Sequence, residues 1–256
     1  MKKSHGIFIK NDAEIALMRE ANRIVSVILD KLGEAVEPGV STMRFEQIAR
    51  DMCKEFDVTP AFLGYNGFPF ALCCSVNEEV VHGFPSDRIL REGDLVSLDM
   101  GVIYDGFYGD SARTFEVGEV SPEASLLCDV TRESLMKGIA QAVEGKFLYD
   151  ISRAIQEYVE QNGFSVVKRF VGHGIGRQLH EKPAVPNYVP IAGRSLPLKN
   201  GMVLAIEPMA CVGTAEVEIL EDKWTAATKD RKLSAHFEHT VALTPNGPEI
   251  LSRNEQ

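Results

Sequence analysis

The chain has 256 residues, 45% of them hydrophobic and 25% charged, so it can bury a sizeable core either as one large α/β domain or as two small ones. Its net charge of −10 argues against nucleic acid as the main ligand; no apolar run approaches the ~18 residues of a membrane span, and the apolar stretch after Lys2 and Lys3 is too short for a signal peptide. Five cysteines, an odd number with no Cys-x-x-Cys spacing, indicate reduced thiols, and the expected location is the cytoplasm.

Asn11 is placed to cap a first helix, Glu14 completes a capping box, and Ile15, Met18, Ile24, Ile28 and Leu32 form its apolar stripe before Pro38 and Gly39 end it. A second helix is expected over 41–56. His82 follows in the phrase VHGFP (81–85), and residues 90–99, LREGDLVSLD, read as a turn, an apolar strand and a carboxylate, Asp99. Asp110 comes next, in GDSART (109–114). The order then recurs. Ser121 and Pro122 start a long helix whose apolar face is expected to hold Leu126, Leu127, Val130, Ile139 and Val143, and a shorter helix over 150–161 is closed by Asn162 and Gly163. His173 stands in VGHGI (171–175), residues 198–207, LKNGMVLAIE, repeat the turn, strand and acid ending at Glu207, and FEHT (237–240) supplies Glu238. The expected organisation is a single domain over 1–256 with an internal repeat, about 11–118 and 119–251. Cys53, Cys128 and Cys211 are expected to be small core residues.

Asp99, Asp110, Glu207 and Glu238 lie in or beside apolar strands, where an isolated ionised carboxylate is costly to bury. Two compensations are open. Arg113 and Lys199 could each neutralise one acid in structural ion pairs. Alternatively the four acids and an imidazole form an oxygen-rich set without thiolate, which suits Mn, Fe(II), Co or Zn in a bridged pair. A water between two such cations becomes a nucleophile near neutral pH.

The motifs GHGIGRQLHEKP (172–183), SLD (97–99), GDS (109–111), AIEP (205–208) and FEHT (237–240) make the chain resemble the type I methionine aminopeptidases of bacterial kind, from about residue 11 to 251. The resemblance implies the pita-bread (creatinase/aminopeptidase) fold, an α/β architecture whose two pseudo-two-fold-related halves surround a dinuclear metal site. It implies that Asp99 chelates one of two divalent ions (Co, Mn, Fe(II) or Zn), that Asp110 and Glu238 bridge both, and that His173 and Glu207 complete the second. In the same way, Glu207 is the general base, His180 donates to the scissile carbonyl, and His82 contacts the leaving side of the peptide. Tyr65, Phe68, Cys73 and Trp224 match positions lining the methionine pocket. Phe62 stands where a small cysteine is common and Leu179 where an aromatic is common, which leaves the width of that pocket open. His5, His236 and His239 are read as ordinary core or surface histidines.

The implied activity is removal of the N-terminal methionine from nascent chains and peptides with a small second residue, by attack of a metal-bridged hydroxide. The implied partners are nascent polypeptide N-termini, with transient ribosome contact and no membrane, and the implied state is a monomer. An Xaa-Pro aminopeptidase or prolidase uses a similar ligand set but usually carries an extra N-terminal domain. A non-catalytic binding module of this fold has typically lost the ligands, whereas all five stand here.

Overall fold

The computed structural model describes residues 2–4 and 6–253, so His5 lies outside the described residues. Helix α1 spans Asp12–Glu34 and starts as its capping box requires: Glu14 N donates to Asn11 Oδ1 at 3.0 Å and Asn11 N donates to Glu14 Oε2 at 3.1 Å. Its stripe is buried against the strands Leu95–Tyr104 and Phe107–Glu116. Helix α2, Met43–Glu55, begins two residues later than the expected boundary. Ser41 is diverted into an isolated bridge with Ile89, and the Thr42 and Met43 N–H groups go to the carbonyls of Arg88 and Ser86.

Helix α3, Pro122–Ile139, has the expected Ser121 cap, but two predicted face positions do not hold. Leu126 is 49% exposed, and Val143 lies beyond the helix end. Helix α4 runs Leu148–Gln161, beginning before Asp150 because that carboxylate accepts the Phe147 N–H from the third helical position. Gly163 then takes the left-handed conformation (φ 85°) that closes the helix. Helices α3 and α4 pack together over a core that includes Leu127, Ile151, Ile155, Leu204 and Val241.

Leu95–Tyr104 lies between Leu72–Val76 and Phe107–Glu116, antiparallel to both, with Thr59–Pro60 also paired to it. In the second half five antiparallel strands follow the order Glu181–Val185, Gly172–Gly174, Val203–Ile206, His239–Thr244 and Gly247–Ile250. A third apolar cluster, with Met18, Phe62, Phe68, Cys73, Ile175 and Leu179, joins the halves. All five cysteines are buried and free. No described helix is long and apolar enough to cross a membrane.

One close approach ties the fold to the acids. At Gly109 a Cβ would meet the backbone of Ala21 at 2.7 Å and of Asn22 at 2.9 Å, so only glycine lets α1 settle on this strand. The approach brings Asn22 Oδ1 to the N–H of Asp110 at 3.1 Å. Helix packing therefore sets where Asp110 stands.

Candidate metal centre

The twin phrases end differently in space. Asp99 sits in mid-strand, paired with Cys73 on one side and Ala112 on the other, whereas Glu207 lies just past the end of Val203–Ile206. Asp110 is opposite Gly101, His173 is opposite Ala205, and Glu238 connects Ser234–His236 to His239–Thr244. The two bridging candidates are stitched reciprocally across the halves. Ser111 Oγ donates to the Glu238 carbonyl at 2.6 Å, and Thr240 Oγ1 donates to the Asp110 carbonyl at 2.8 Å. Glu238 N adds a bond to the Ala112 carbonyl at 2.9 Å. Ser111 directly follows Asp110 and Thr240 stands two residues after Glu238, and each holds the backbone of the other acid.

The side chains converge without satisfying one another. Asp110, His173 and Glu238 bring ligand atoms within 4.8 Å of one another, and Asp99 Oδ1, Asp110 Oδ1 and Glu238 Oε1 are buried with no hydrogen-bond partner. Arg113 does not compensate them, because its guanidinium bonds Asp30 and Ser26 instead. Burial raises the Asp99 carboxyl to about 7, helped by Glu207 and opposed by His236, and raises Glu207 to about 8. Asp110 and Glu238 are pushed well up by burial first and then by the neighbouring carboxylates. Such a set, once ionised, repels itself unless cations enter it.

His173 is prepared as a donor. Its Nδ1 lies 2.9 Å from the Gly174 carbonyl, which fixes the proton there and turns the Nε2 lone pair toward Asp110 Oδ2 and Glu207 Oε1, each 3.7 Å away. Burial, then the proximity of His180, lowers its pKa to about 3, so the ring is neutral. The orphaned oxygens, the directed imidazole and the thiolate-free donor set fit divalent cations. Burial first, then the adjacent acids, push the thiol of Cys73, across from Asp99, well above its usual range.

One cleft collects the candidate metal, catalytic and pocket residues: Asp99, Asp110, His173, Glu207 and Glu238 at its floor, His82 and His180 beside them, and Tyr65, Phe68, Cys73 and Trp224 along its wall. Phe62 and Leu179 also line it. Phe62 fits against Gly101, where a Cβ would meet its ring at 2.9 Å. Trp224 and Phe68 meet edge-on at 5.2 Å, and Asp222 Oδ1 accepts from Trp224 N at 2.8 Å, which sets the loop that carries the indole. His82 adopts a left-handed backbone (φ 61°), costly for a non-glycine residue, and its pKa falls to about 4, mainly by burial.

Several contributors escaped the sequence reading. Tyr65 Oη lies 2.7 Å from His180 Nδ1, so a wall residue also orients the imidazole. Lys10 and Glu181 form a buried pair at 2.7 Å with both side chains 1% exposed, and Glu181 Oε1 also accepts from Arg177 N at 2.9 Å, closing the loop that carries Leu179 and His180. Asn66 lines the cleft. His239 is an ordinary, partly buried histidine bonded to Ser252 Oγ at 2.8 Å. His236 is not: its Nε2 is buried, unpartnered and 3.6 Å from Glu207 Oε2. The two serine/threonine seams were within reach, since Ser111 and Thr240 stand beside the acids in the motifs. Nothing in a one-dimensional pattern signals the others.

Comparison with known proteins places this geometry. The model of metallopeptidase family M24 matches residues 16–245. A methionine aminopeptidase of Clostridium acetobutylicum is 52% identical over 247 residues, covering 96% of this chain and 98% of that protein. The crystal structure of methionine aminopeptidase from Rickettsia prowazekii superposes with a TM-score of 0.94 at 40% identity, covering 96% of this chain and 100% of that one. A prolidase from Pyrococcus furiosus shares the fold (TM-score 0.77) at 22% identity, and this chain covers 66% of its length.

Proposed function

The chain belongs to metallopeptidase family M24 and has the pita-bread fold, and from that premise we propose that the cleft removes the N-terminal methionine from nascent proteins and peptides, preferring a small second residue. The observation that carries this reading is the floor of orphaned carboxylate oxygens around a directed His173, set beneath an apolar and aromatic wall. Residues 1–256 act as one catalytic domain, with halves of about 11–118 and 119–251 both supplying the floor. The cross-half bonds of Ser111 and Thr240 support that reading.

Asp99, Asp110, His173, Glu207 and Glu238 would hold two divalent ions (Co, Mn, Fe(II) or Zn), which supply an acidified water and polarisation of the scissile carbonyl. Glu207 accepts the proton of the attacking water and delivers it to the leaving amine. His180, neutral because burial lowers its pKa, donates from Nε2 to the carbonyl oxygen as charge develops there. His82 contacts the leaving side. Tyr65, Phe68, Cys73 and Trp224 accept an unbranched thioether, while Phe62 and Leu179 set the width. The working setting is the cytoplasm, as a monomer in transient contact with the ribosome.

Tyr65→Phe keeps the aromatic wall and removes only the hydroxyl that orients His180. Its kcat should fall about tenfold with KM nearly unchanged, as lost transition-state alignment requires; a rise in KM alone would assign Tyr65 to the wall and not to His180. The proposed function itself is tested by a parallel assay of Met-Ala-Ser and Ala-Pro peptides with and without chelator. Release of methionine alone, abolished by chelator and restored by Mn²⁺ or Co²⁺, is expected. Cleavage of Ala-Pro without cleavage of Met-Ala-Ser overturns the specificity, and turnover surviving complete metal removal overturns the mechanism.

A further inference from the structure

Glu207 stands between two imidazoles. Its Oε1 faces His173 Nε2 at 3.7 Å and its Oε2 faces His236 Nε2 at 3.6 Å. His173 belongs to the proposed metal floor, so Oε1 is the oxygen that would serve the ions held there and Oε2 is left to handle a proton. We propose that His236 is a positioning residue, whose Nε2–H holds Glu207 Oε2 in the orientation from which it takes the proton of the attacking water.

Four observations carry the inference. His236 is 2% exposed, and its Nε2 has no hydrogen-bond partner, a buried polar group that is costly unless something meets it. The gap to Glu207 Oε2 is just outside hydrogen-bond range and closes with a small rotation of one carboxylate. The histidine cannot drift, because Thr114 Oγ1 accepts from His236 N at 2.9 Å and donates to His236 O at 2.8 Å, while Ser97 Oγ lies 2.8 Å from the same hydroxyl. The strand register adds the pairing of Met209 with His236. Glu207 is likewise anchored at its main chain, where its carbonyl accepts from Asn187 Nδ2 at 2.9 Å. With both backbones fixed, the contact between the two side chains decides which way the carboxylate turns.

The inference rests on the reading of Glu207 as the proton carrier of a methionine aminopeptidase, and the test separates the two. Wild type, His236→Leu and His236→Gln are compared for kcat and KM on Met-Ala-Ser at saturating Mn²⁺, and for Mn²⁺ affinity by calorimetry. The leucine variant should lose about tenfold or more in kcat, with KM and Mn²⁺ affinity within about twofold of wild type. The glutamine variant, whose amide can donate from a similar reach, should recover most of the loss. Unchanged kcat in His236→Leu overturns the inference, as does a fall in Mn²⁺ affinity matching the fall in kcat, which would make His236 a ligand. Equal impairment in both variants overturns it as well, since ring volume would then be what matters. If the leucine variant does not fold, His236→Met replaces it under the same criteria. A wild type that binds Mn²⁺ yet leaves the peptide intact refutes the methionine aminopeptidase reading itself.

Discussion

Glu207→Gln is expected to lower kcat on a Met-Ala-Ser peptide by about a thousandfold at saturating Mn²⁺, and Glu207→Ala by at least as much, because the proposed proton acceptor at the reacting water is gone. The amide keeps a carbonyl oxygen for the His173 side of the site, where Oε1 now lies 3.7 Å from Nε2. Metal affinity should therefore fall less in the glutamine variant than in the alanine variant, while turnover is lost in both. Steady-state kinetics paired with Mn²⁺ calorimetry checks this. Near-normal turnover after metal saturation would refute the role of Glu207 as base.

The second large effect is on stability without metal. In the folded chain burial holds Asp99 protonated up to about pH 7 and Glu207 up to about pH 8, and pushes Asp110 and Glu238 well up too, whereas unfolded carboxyls release their protons near pH 4. The folded state thus binds more protons than the unfolded state, and stability must fall as pH rises. Below about pH 6.5 this trend is opposed by the histidines. His173, His82 and His239, with pKa values lowered to about 3, 4 and 4 mainly by burial, lose stability as pH falls, because only the unfolded chain takes up their protons. Between pH 7 and 8 the histidines no longer oppose the carboxyls, the buried thiols, pushed up by burial, act in the same direction toward pH 8, and each retained proton contributes a slope of about 1.4 kcal/mol per pH unit. Urea denaturation in chelator at several pH values across this window should show the decline. Mn²⁺ should reverse it and release protons on binding, read as a dependence of calorimetric heat on buffer ionisation enthalpy. A metal-free chain whose stability is flat or rises across the window would contradict the carboxyl floor.

The helices were legible because their signals are local. Asn11 with Glu14, Ser121 with Pro122, and Asn162 with Gly163 act within one turn, and the α1 stripe states a burial that the fold then provides. Boundaries slipped at two helix starts: Ser41 went to a tertiary partner, Ile89, and Asp150 became a local cap for Phe147 and not the first residue of its helix. Leu126 followed the apolar periodicity yet faces solvent, since periodicity marks a face but does not say what covers it.

The chemistry divides in the same way. The sequence by itself determined the inventory: two turn-strand-acid phrases ending at Asp99 and Glu207, histidines at 82, 173 and 180, and acids beside hydroxyl residues at 110 and 238. Those survive as a motif because buried carboxylates demand compensation wherever they stand. Only the tertiary structure decided what each group faces. Asp99 sits in mid-strand while Glu207 passes the strand end, Tyr65 meets His180, Lys10 meets Glu181, and the Nε2 of His236, read as an ordinary histidine, lies 3.6 Å from Glu207 Oε2. Such contacts join residues far apart in the chain and depend on distances of a few ångströms, which residue spacing along the chain does not encode.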